Sequence, residues 1–237
     1  MVASRRFPID FGSQGAQGEH EVQIMRVPIK RTVLLALLLP LLAHAASPAR
    51  NELRAASRAT PDLERGEALF TQCTSCHGAN GGGMADGSTP SIAGQHSQVL
   101  IKQLVDFRYG KRWDFRMEQR AGTHLGAAQD IADVSSYLNQ LSRAQGNGVG
   151  NGEQLVQGAG LYAANCGSCH GAGGEGDGNE GVPMLAGQHY GYLVRQMYDA
   201  VDGRRPTLRQ IHSRRIAPLD FEEVRAVADF LSRSGTR

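Results

Sequence analysis

Two copies of one short string, CTSCH at Cys73–His77 and CGSCH at Cys166–His170, indicate which cofactor this chain binds and how its domains are organised. Cys-x-x-Cys-His is the attachment signature of c-type haem: two thiols bind the vinyl groups of one porphyrin, and the histidine binds the iron as its proximal ligand. The two strings use all four cysteines of the chain. The sequence therefore predicts two covalently attached haem c groups. The predicted thioether positions and proximal ligands are Cys73, Cys76 and His77 for the first haem, and Cys166, Cys169 and His170 for the second.

Zinc binding or dithiol redox chemistry is the alternative for paired Cys-x-x-Cys units, which can together build one tetrahedral metal site. Here each pair has its own adjacent histidine, and 93 residues separate the two strings. This arrangement suits two self-contained units better than one shared metal, so haem attachment is favoured.

The chain also contains an internal duplication. A shift of 93 residues aligns the segment 73–138 with a second copy without a gap, and 17 identities fall between positions 73 and 110. They include the string AGQH at Ala93–His96 and Ala186–His189. Repetition at this length indicates two copies of one domain, because the units of a solenoid are 20 to 50 residues long.

Each copy has the apolar spacing of helices separated by glycine-rich loops. Thr60 and Pro61 predict the N-cap and first turn of the first helix. No alternating apolar run is long enough to indicate a sheet, so the predicted fold class is all-α. The apolar positions at helical spacing are Leu63, Phe70, Leu100, Leu104, Phe107, Ile131, Val134, Leu138 and Leu141 in the first copy, and Leu161, Tyr162, Leu193, Met197, Val201, Val224, Val227 and Leu231 in the second.

The predicted organisation is two tandem haem domains, at 60–145 and 153–234, after a leader at 1–45. The glycine- and asparagine-rich linker Gln145–Gly152 favours a flexible connection, although a close interface between the domains stays open.

The leader has the features of a secretory signal peptide. Lys30 and Arg31 precede the apolar run Val33–Leu42, and a small-x-small cleavage site follows at Ala43–Ala45. The run is too short to cross a bilayer, which needs about 20 residues, although an uncleaved anchor is the alternative. The signal peptide spans about 25–45, and Met25 is a plausible true start, in which case the residues before it are not translated.

The charge of the mature chain argues against nucleic-acid binding. The first 45 residues contain five of the 25 Lys and Arg and three of the 23 Asp and Glu, which leaves 20 of each. A nucleic-acid-binding protein would instead show a basic stripe and a high pI.

The ordered landmarks of each copy resemble those of the cytochrome c4 family of dihaem cytochromes c. These are Cys-x-x-Cys-His-Gly, a glycine loop, Pro-x-(Leu/Ile)-Ala-Gly-Gln-His, and Gly-(Lys/Arg)-Arg before a terminal helix, and the resemblance covers about 60–232. It implies a periplasmic electron carrier, soluble or associated with the membrane surface. Such a carrier passes single electrons between redox proteins, toward a membrane terminal oxidase or from a reductase. It also implies that haem is attached on the periplasmic side of the inner membrane.

The resemblance places the sixth iron ligand, a methionine in the family, between the second and last helices of each domain. In the first copy this position is Met117, eight residues before Leu125. Its flanking residues, Arg116 and Glu118, make packing a poor explanation for a methionine. Met84 in the glycine loop and His124 are weaker candidates for the same role.

The second copy departs from this pattern, because the position that matches Met117 is Gln210. The nearest donor is His212, which predicts a bis-histidine haem of low potential; a surface histidine is the alternative. Without that ligand the iron would be open, and the protein could be an enzyme, an enzyme's cytochrome subunit acting on peroxide or an inorganic sulfur compound, or a gas- or redox-sensing protein. We favour an electron carrier over an enzyme.

Two further sets of residues recur in both copies. His96 and His189 could bind a haem propionate or have structural roles such as helix capping, and we favour the latter. The basic residues could neutralise propionates or steer an acidic partner, although a solvated face is the simpler explanation. They are Lys111, Arg112, Arg116 and Arg120 in the first copy, and Arg204, Arg205, Arg209, Arg214 and Arg215 in the second.

Overall fold

The computed structural model describes residues 47–143 and 148–235, and in this range it leaves out the side chains of 209–211. The predicted leader at 1–45 lies outside the described residues, as does the start of the linker at Gln145. The described residues form helices and turns, with a single isolated antiparallel bridge between Asp177 and Val182. The predicted all-α class is confirmed. No helix within 47–143 or 148–235 combines the length and hydrophobicity that a bilayer-spanning segment needs.

The first domain contains six helices in the described range. Its motif helix is only one turn long, and the helix after the glycine loop begins directly after His96. The predicted cap at Thr60 is wrong, because Asp62 is the N-cap and its side chain accepts a hydrogen bond from the Arg65 N–H. The helices are α1 Pro48–Arg58, α2 Leu63–Phe70, α3 Thr74–His77, α4 Ser97–Arg108, α5 Phe115–Thr123 and α6 Ala128–Gln140.

Helix α1 is an addition that the apolar pattern did not predict. It contributes the buried Ala49 and Ala56 to the core of the first domain. Glu52 in the middle of α1 forms an ion pair with Arg108 at the end of α4, and both side chains are largely shielded from solvent. The helix therefore belongs structurally to the first domain.

The second domain repeats the arrangement of the first from its motif helix to its C-terminal helix. Its motif helix and its last helix each lie 93 residues after their counterparts. The last helix begins with a capping box, in which Asp220 and Glu223 bond each other's backbone N–H groups. The helices are α7 Leu155–Asn165, α8 Gly167–His170, α9 Tyr190–Val201, α10 Pro206–Ile216 and α11 Phe221–Arg233.

In each domain the helix before the haem motif crosses the last helix at a glycine: α2 crosses α6 in the first domain, and α7 crosses α11 in the second. An added Cβ at Gly66 in α2 would lie 2.3 Å from the carbonyl oxygen of Asp133 in α6. At Gly158 in α7 it would lie 2.0 Å from the carbonyl oxygen of Ala226 in α11. The backbones can approach this closely only because glycine lacks a Cβ, and the crossing then fixes the position of the haem motif that follows each first helix.

The two domains meet through contacts that are nearly symmetric. Gln95 donates to the carbonyl oxygen of Met184 at 2.9 Å and accepts from its N–H at 2.9 Å. Gln188, the matching residue of the second copy, donates to the carbonyl oxygen of Ser91 at 2.8 Å and accepts from its N–H at 3.0 Å. Since Ser91 and Met184 are themselves 93 residues apart, the interface has a pseudo-two-fold axis, and the two domains form a close interface.

The two repeated histidines have structural roles in the same interface. The Nε2 of His96 lies 2.9 Å from the carbonyl oxygen of Glu175, and the Nε2 of His189 lies 2.7 Å from that of Gly82. Each histidine is the residue before a helix, but neither side chain forms a capping hydrogen bond. The favoured structural role is therefore correct, although the contact is between domains and is not a helix cap.

Candidate haem-binding sites

Each Cys-x-x-Cys-His string forms one tight helical turn. In the first site the N–H groups of Cys76 and His77 donate to the carbonyl oxygen of Cys73 at 3.2 and 3.0 Å. In the second the N–H groups of Cys169 and His170 donate to that of Cys166 at 3.1 and 3.0 Å. Residues three apart on a helical turn share one face, so both thiols of each pair can reach one porphyrin edge.

The cysteine pairs favour haem over zinc. All four cysteines are free thiols, and one of each pair is exposed. Within 47–143 and 148–235, no three Cys, His, Asp or Glu side chains come together in a group able to hold a metal ion. A tetrahedral zinc site needs four such donors in one place, so the arrangement of these thiols does not suit zinc.

A hydrogen bond to a proline carbonyl oxygen fixes each motif histidine. The Nδ1 of His77 lies 3.0 Å from the carbonyl oxygen of Pro90, and the Nδ1 of His170 lies 3.1 Å from that of Pro183. A carbonyl oxygen only accepts, so Nδ1 carries the proton and Nε2 keeps a lone pair for a metal. Metal-binding histidines characteristically have such a partner on the second nitrogen. Sequence analysis did not identify these carbonyl groups.

The histidines are also kept neutral, as iron ligation requires. Burial lowers the pKa of His77 below its usual value, and nearby Arg116 lowers it further against the opposing effect of the Pro90 carbonyl and Asp114. Burial likewise lowers the pKa of His170, as does the neighbouring ring of His212.

The first turn of α5 lies beside the first motif histidine. Asp114 caps this helix by accepting hydrogen bonds from the N–H groups of Arg116 and Met117, at 3.1 and 3.2 Å. Arg116 lowers the pKa of His77 and Asp114 raises it, so the first turn of α5 lies within electrostatic range of this histidine. The Met117 side chain is half-buried. Met117 stays the predicted sixth ligand of the first site.

His124 and Met84, the two weaker candidates for the sixth ligand of the first haem, are less suitable in this structure than Met117. The ring of His124 contacts Gln72 through Nδ1, and its Nε2 lies 3.2 Å from Arg120, so polar neighbours occupy both nitrogens. Met84 lies in the loop that closes behind His77, where its N–H donates to the carbonyl oxygen of Thr89, the residue before Pro90. Met84 is therefore on the proline side of the histidine.

In the second domain, His212 on α10 faces the motif histidine. The ring centres of His170 and His212 are 6.2 Å apart. The Nδ1 of His212 lies 3.1 Å from the carbonyl oxygen of Leu208 in the preceding turn, so Nδ1 carries the proton and Nε2 is available. Burial lowers the pKa of His212, and Arg205 lowers it further. The side chain of Gln210 lies outside the described residues.

The distance between these two rings fits one metal ion held between them. Metal–imidazole bonds are about 2.0 to 2.1 Å long, and adding about 1 Å from each nitrogen to its ring centre gives a ring separation of about 6 Å. The observed separation is 6.2 Å. The residues present therefore fit an iron with one histidine on each side.

The basic residues near the distal helices divide into two groups. Arg112 and Arg205 lie in the interface between the domains, where both contact Gln103 and Gln196. Lys111 is half-buried, and the side chain of Arg209 lies outside the described residues. The exposed members of the set are Arg116, Arg120, Arg204, Arg214 and Arg215.

Comparisons with known proteins agree with this geometry. Residues 63–142 and 155–234 each match the cytochrome c family. The cytochrome c4 of Pseudomonas aeruginosa is 34% identical over 180 residues, covering 73% of this chain and 81% of that protein. A protein of Stutzerimonas stutzeri named thiosulfate dehydrogenase electron acceptor is 30% identical over 194 residues, covering 73% and 87%.

A solved structure has the same fold. The crystal structure of reduced recombinant cytochrome c4 from Pseudomonas stutzeri aligns with a TM-score of 0.66 at 24% identity, over 74% of this chain and 100% of that one. Together with the tandem family matches and the duplicated motif turns, these relatives identify the cofactor as two covalently bound haem c groups. The chain belongs to the cytochrome c family and, within it, to the cytochrome c4 group of dihaem electron carriers.

Proposed function

We propose that this protein is a periplasmic one-electron carrier whose two haems have different distal ligands. Thioether links form at the four motif cysteines, with His77 and His170 as proximal ligands. Met117 completes the first site and His212 the second. Haem iron, when bound, takes up and releases one electron at each site. The chain's own residues set the ligation, burial and access on which the potential depends.

The single observation that carries this proposal is the ring pair of the second domain. His170 and His212 are 6.2 Å apart between ring centres, and each Nδ1 is hydrogen-bonded to a backbone carbonyl oxygen. Both Nε2 atoms are thus left free, and burial helps to keep both rings neutral. This arrangement supports the proposal that the two rings bind one metal ion from two sides.

The difference in ligands has a functional consequence. A methionine thioether raises the reduction potential of a haem relative to a second histidine. Met117 would therefore give the first domain the higher potential, and His212 would give the second domain the lower one. Electrons from a donor would enter most readily at the second domain and leave from the first.

The names of the relatives support the class of partners. One relative is named thiosulfate dehydrogenase electron acceptor, and another is named as a subunit of a cbb3-type cytochrome c oxidase. We infer that this chain accepts electrons from a periplasmic dehydrogenase, of which one acting on an inorganic sulfur compound is an example. It passes them toward a membrane oxidase, and the leader sequence supports export to that compartment.

The ligation can be tested with the purified dihaem protein. We expect the far-red band of methionine-ligated ferric haem with the intensity of one haem per molecule, and two low-spin haems by electron paramagnetic resonance. The substitution Met117→Leu should remove the band. His212→Ala should leave one high-spin haem that binds carbon monoxide after reduction. His124→Ala is the matched control and should change neither spectrum, because its ring nitrogens face Gln72 and Arg120.

A variant that introduces a methionine ligand into the second site tests the same assignment of the sixth ligands. The double substitution Gln210→Met with His212→Ala places a methionine at the position matching Met117. We expect the methionine band to double and the lower of the two potentials to rise. If wild-type protein instead has a high-spin haem that binds carbon monoxide, the second site is open. In that case the carrier proposal fails in favour of a ligand-binding or reactive haem.

A further inference from the structure

Helix α1 carries a row of three arginines on its solvent side. Arg50, Arg54 and Arg58 follow each other at intervals of four residues, and all three are exposed. Since four residues turn a helix by about 400°, the three side chains lie within an arc of about 80° and along about 12 Å of the helix. We call these three residues the arginine stripe.

The apolar side of α1 holds the helix on the first domain. Ala49 and Ala56 are buried in the core of that domain, and Leu53 packs against it. These three residues share one face of the helix, and the stripe is turned away from that face by roughly 130°. Because the apolar face and the ion pair of Glu52 with Arg108 already dock α1, the stripe is not needed to hold the helix in place.

The stripe has no negative partner in the part of the chain that the structure describes. The ion pairs within 47–143 and 148–235 all involve other residues. Glu52 is the only acidic residue of α1, and it pairs with Arg108. Like charges four residues apart repel each other, and the helix dipole disfavours a cation such as Arg50 in the first turn. An anionic surface against the stripe would relieve both effects.

Helix α1 lies between the leader and the first haem domain. It precedes the segment 63–142 that matches the cytochrome c family, so the stripe lies outside the matched fold. In the sequence, Arg50 comes eight residues after Leu42, the end of the apolar run of the leader. Eight residues span at most about 29 Å when fully extended. The stripe therefore begins within a short distance of the segment that the sequence predicts to enter the membrane during export.

We propose that the arginine stripe binds the anionic phospholipid headgroups of the membrane surface, so that α1 lies along the bilayer. A guanidinium donates charge-assisted hydrogen bonds to phosphate oxygens, and each basic residue near an anionic membrane adds to the attraction. A straight row on one helix face suits a flat surface, because all three charges can approach it together. The inference rests on the proposed export of the protein but not on the identity of either sixth ligand.

This contact would keep the carrier at the membrane that contains its proposed electron acceptor. It would also fix which side of the first domain faces the lipid, because α1 is docked on that domain through its apolar face. Attraction of three charges is weak enough to be reversible, which suits a carrier that moves between partners.

Sedimentation with lipid vesicles tests the inference on the exported dihaem protein, and haem absorbance measures the bound fraction. One set of vesicles consists of phosphatidylcholine alone, and the other contains about one-third phosphatidylglycerol, which is anionic. We expect the wild-type protein to bind the anionic vesicles much more tightly than the neutral ones. Added salt should release it, because ions screen the attraction between exposed charges.

Neutralising the stripe should lower the partition coefficient of the protein onto the anionic vesicles. Each single substitution of arginine by glutamine should lower it about fivefold, and the triple variant Arg50→Gln, Arg54→Gln and Arg58→Gln about a hundredfold. Substitution of all three by lysine keeps the charge and should retain most of the binding. All variants share the same leader, so the ratios between them isolate the stripe. Urea unfolding should show that the triple variant is no less stable than the wild-type protein, because these side chains are exposed.

A matched control separates the stripe from the net charge of the protein. The double variant Arg214→Gln with Arg215→Gln removes two exposed charges from α10, and Arg54→Gln with Arg58→Gln removes two from the stripe. The stripe variant should lower the partition coefficient about 25-fold. The α10 variant should lower it less than about twofold, because its charges do not face the membrane in this arrangement.

Four outcomes would overturn the inference. The wild-type protein could bind both sets of vesicles equally, or the triple glutamine variant could bind as tightly as the wild-type protein. The α10 variant could lose as much binding as the stripe variant, in which case net charge acts and the stripe does not. The wild-type protein could bind neither set, which would favour an acidic protein as the partner of the stripe. Failure of the proposed haem ligation is distinguishable, because it changes the haem spectra and leaves vesicle binding unchanged.

Discussion

Replacing Gly158 with alanine should destabilise the second domain, because α7 crosses α11 at this glycine without room for a Cβ. An added Cβ there would lie 2.0 Å from the carbonyl oxygen of Ala226 and 3.2 Å from the Cβ of Phe230. The obstruction is mainly backbone, which cannot rotate away as a flexible side chain can. Gly160 is the matched control, since it lies in the same helix and a Cβ there would meet nothing within 4 Å.

The two substitutions should change stability in opposite directions. Alanine at Gly160 replaces a poor helix former by the best one and should stabilise the protein by about 1 kcal/mol. Alanine at Gly158 gains the same stabilisation from helix propensity. However, the distance from its Cβ to the carbonyl oxygen of Ala226 must increase from 2.0 Å to an ordinary contact of at least 3.4 Å. Overpacking of this kind costs about 3 kcal/mol at the upper end of its usual range. The net loss is about 2 kcal/mol, so the variants should differ by about 3 kcal/mol.

Urea unfolding of the holoprotein, followed by far-ultraviolet circular dichroism and haem absorbance, measures both variants. A loss of 2 kcal/mol lowers the folded-to-unfolded ratio about thirtyfold, well above the error of such titrations. Separation of α7 from α11 should also loosen the contact between the rings of Tyr162 and Phe230, whose centres are 5.5 Å apart. If the Gly158→Ala protein is as stable as the Gly160→Ala protein, the close crossing of these helices is wrong.

Three further changes test other parts of the structure. Gln188→Ala leaves the buried N–H and C=O of Ser91 without partners and should cost about 2 to 3 kcal/mol in urea unfolding; an unchanged midpoint would mean that the domains do not meet there. Arg108→Ala removes the cation that pairs with the largely buried Glu52 and also the hydrogen bonds to the carbonyl oxygens of Ala121 and Leu125, so it should cost about 3 kcal/mol in the same assay; a loss below 1 kcal/mol would argue against this ion pair. Burial raises the pKa of Tyr162 to about 12 from 10.0, so the folded state holds this proton more tightly; its stabilisation is complete below pH 10 and is lost as the pH rises toward 12. Between pH 10 and pH 12 the melting temperature should fall less steeply with pH for Tyr162→Phe than for the wild-type protein. Equal slopes for the two proteins would contradict the raised pKa of Tyr162.

The sequence was sufficient for the fold class because three strong signals coincide in it. The repeated motif fixes two haems, the offset of 93 residues fixes two domains, and the apolar spacing fixes helices. Helix α1 escaped prediction because its apolar positions are few, and its docking depends on Arg108, which is 50 residues beyond its end. The first cap was misplaced because Thr60 and Asp62 are both good caps, and only the fold selects Asp62.

Sequence reasoning can propose a ligand where side-chain chemistry identifies one, but it cannot single out a backbone group. Position along the repeat was enough to propose Met117 and His212. The carbonyl oxygens of Pro90 and Pro183 could not be singled out, because every residue carries such a group and only the loop geometry brings these two to the histidines. The repeat of Gln95 at Gln188 was a usable signal, since neither residue lies on a predicted apolar face.

The pseudo-two-fold interface explains why the two domains can share some residues and differ in others. Residues at equivalent positions of the two domains make equivalent contacts across such an interface. Gln95 of the first domain bonds the backbone of Met184 in the second, and Gln188 of the second domain bonds the backbone of Ser91 in the first. A change in one of them breaks a reciprocal pair. The proposed sixth ligands have no such constraint, because Met117 and His212 do not belong to these reciprocal contacts and each is proposed to bind only the iron of its own domain. A duplicated chain can therefore acquire two different haem potentials without altering the surface that holds its halves together.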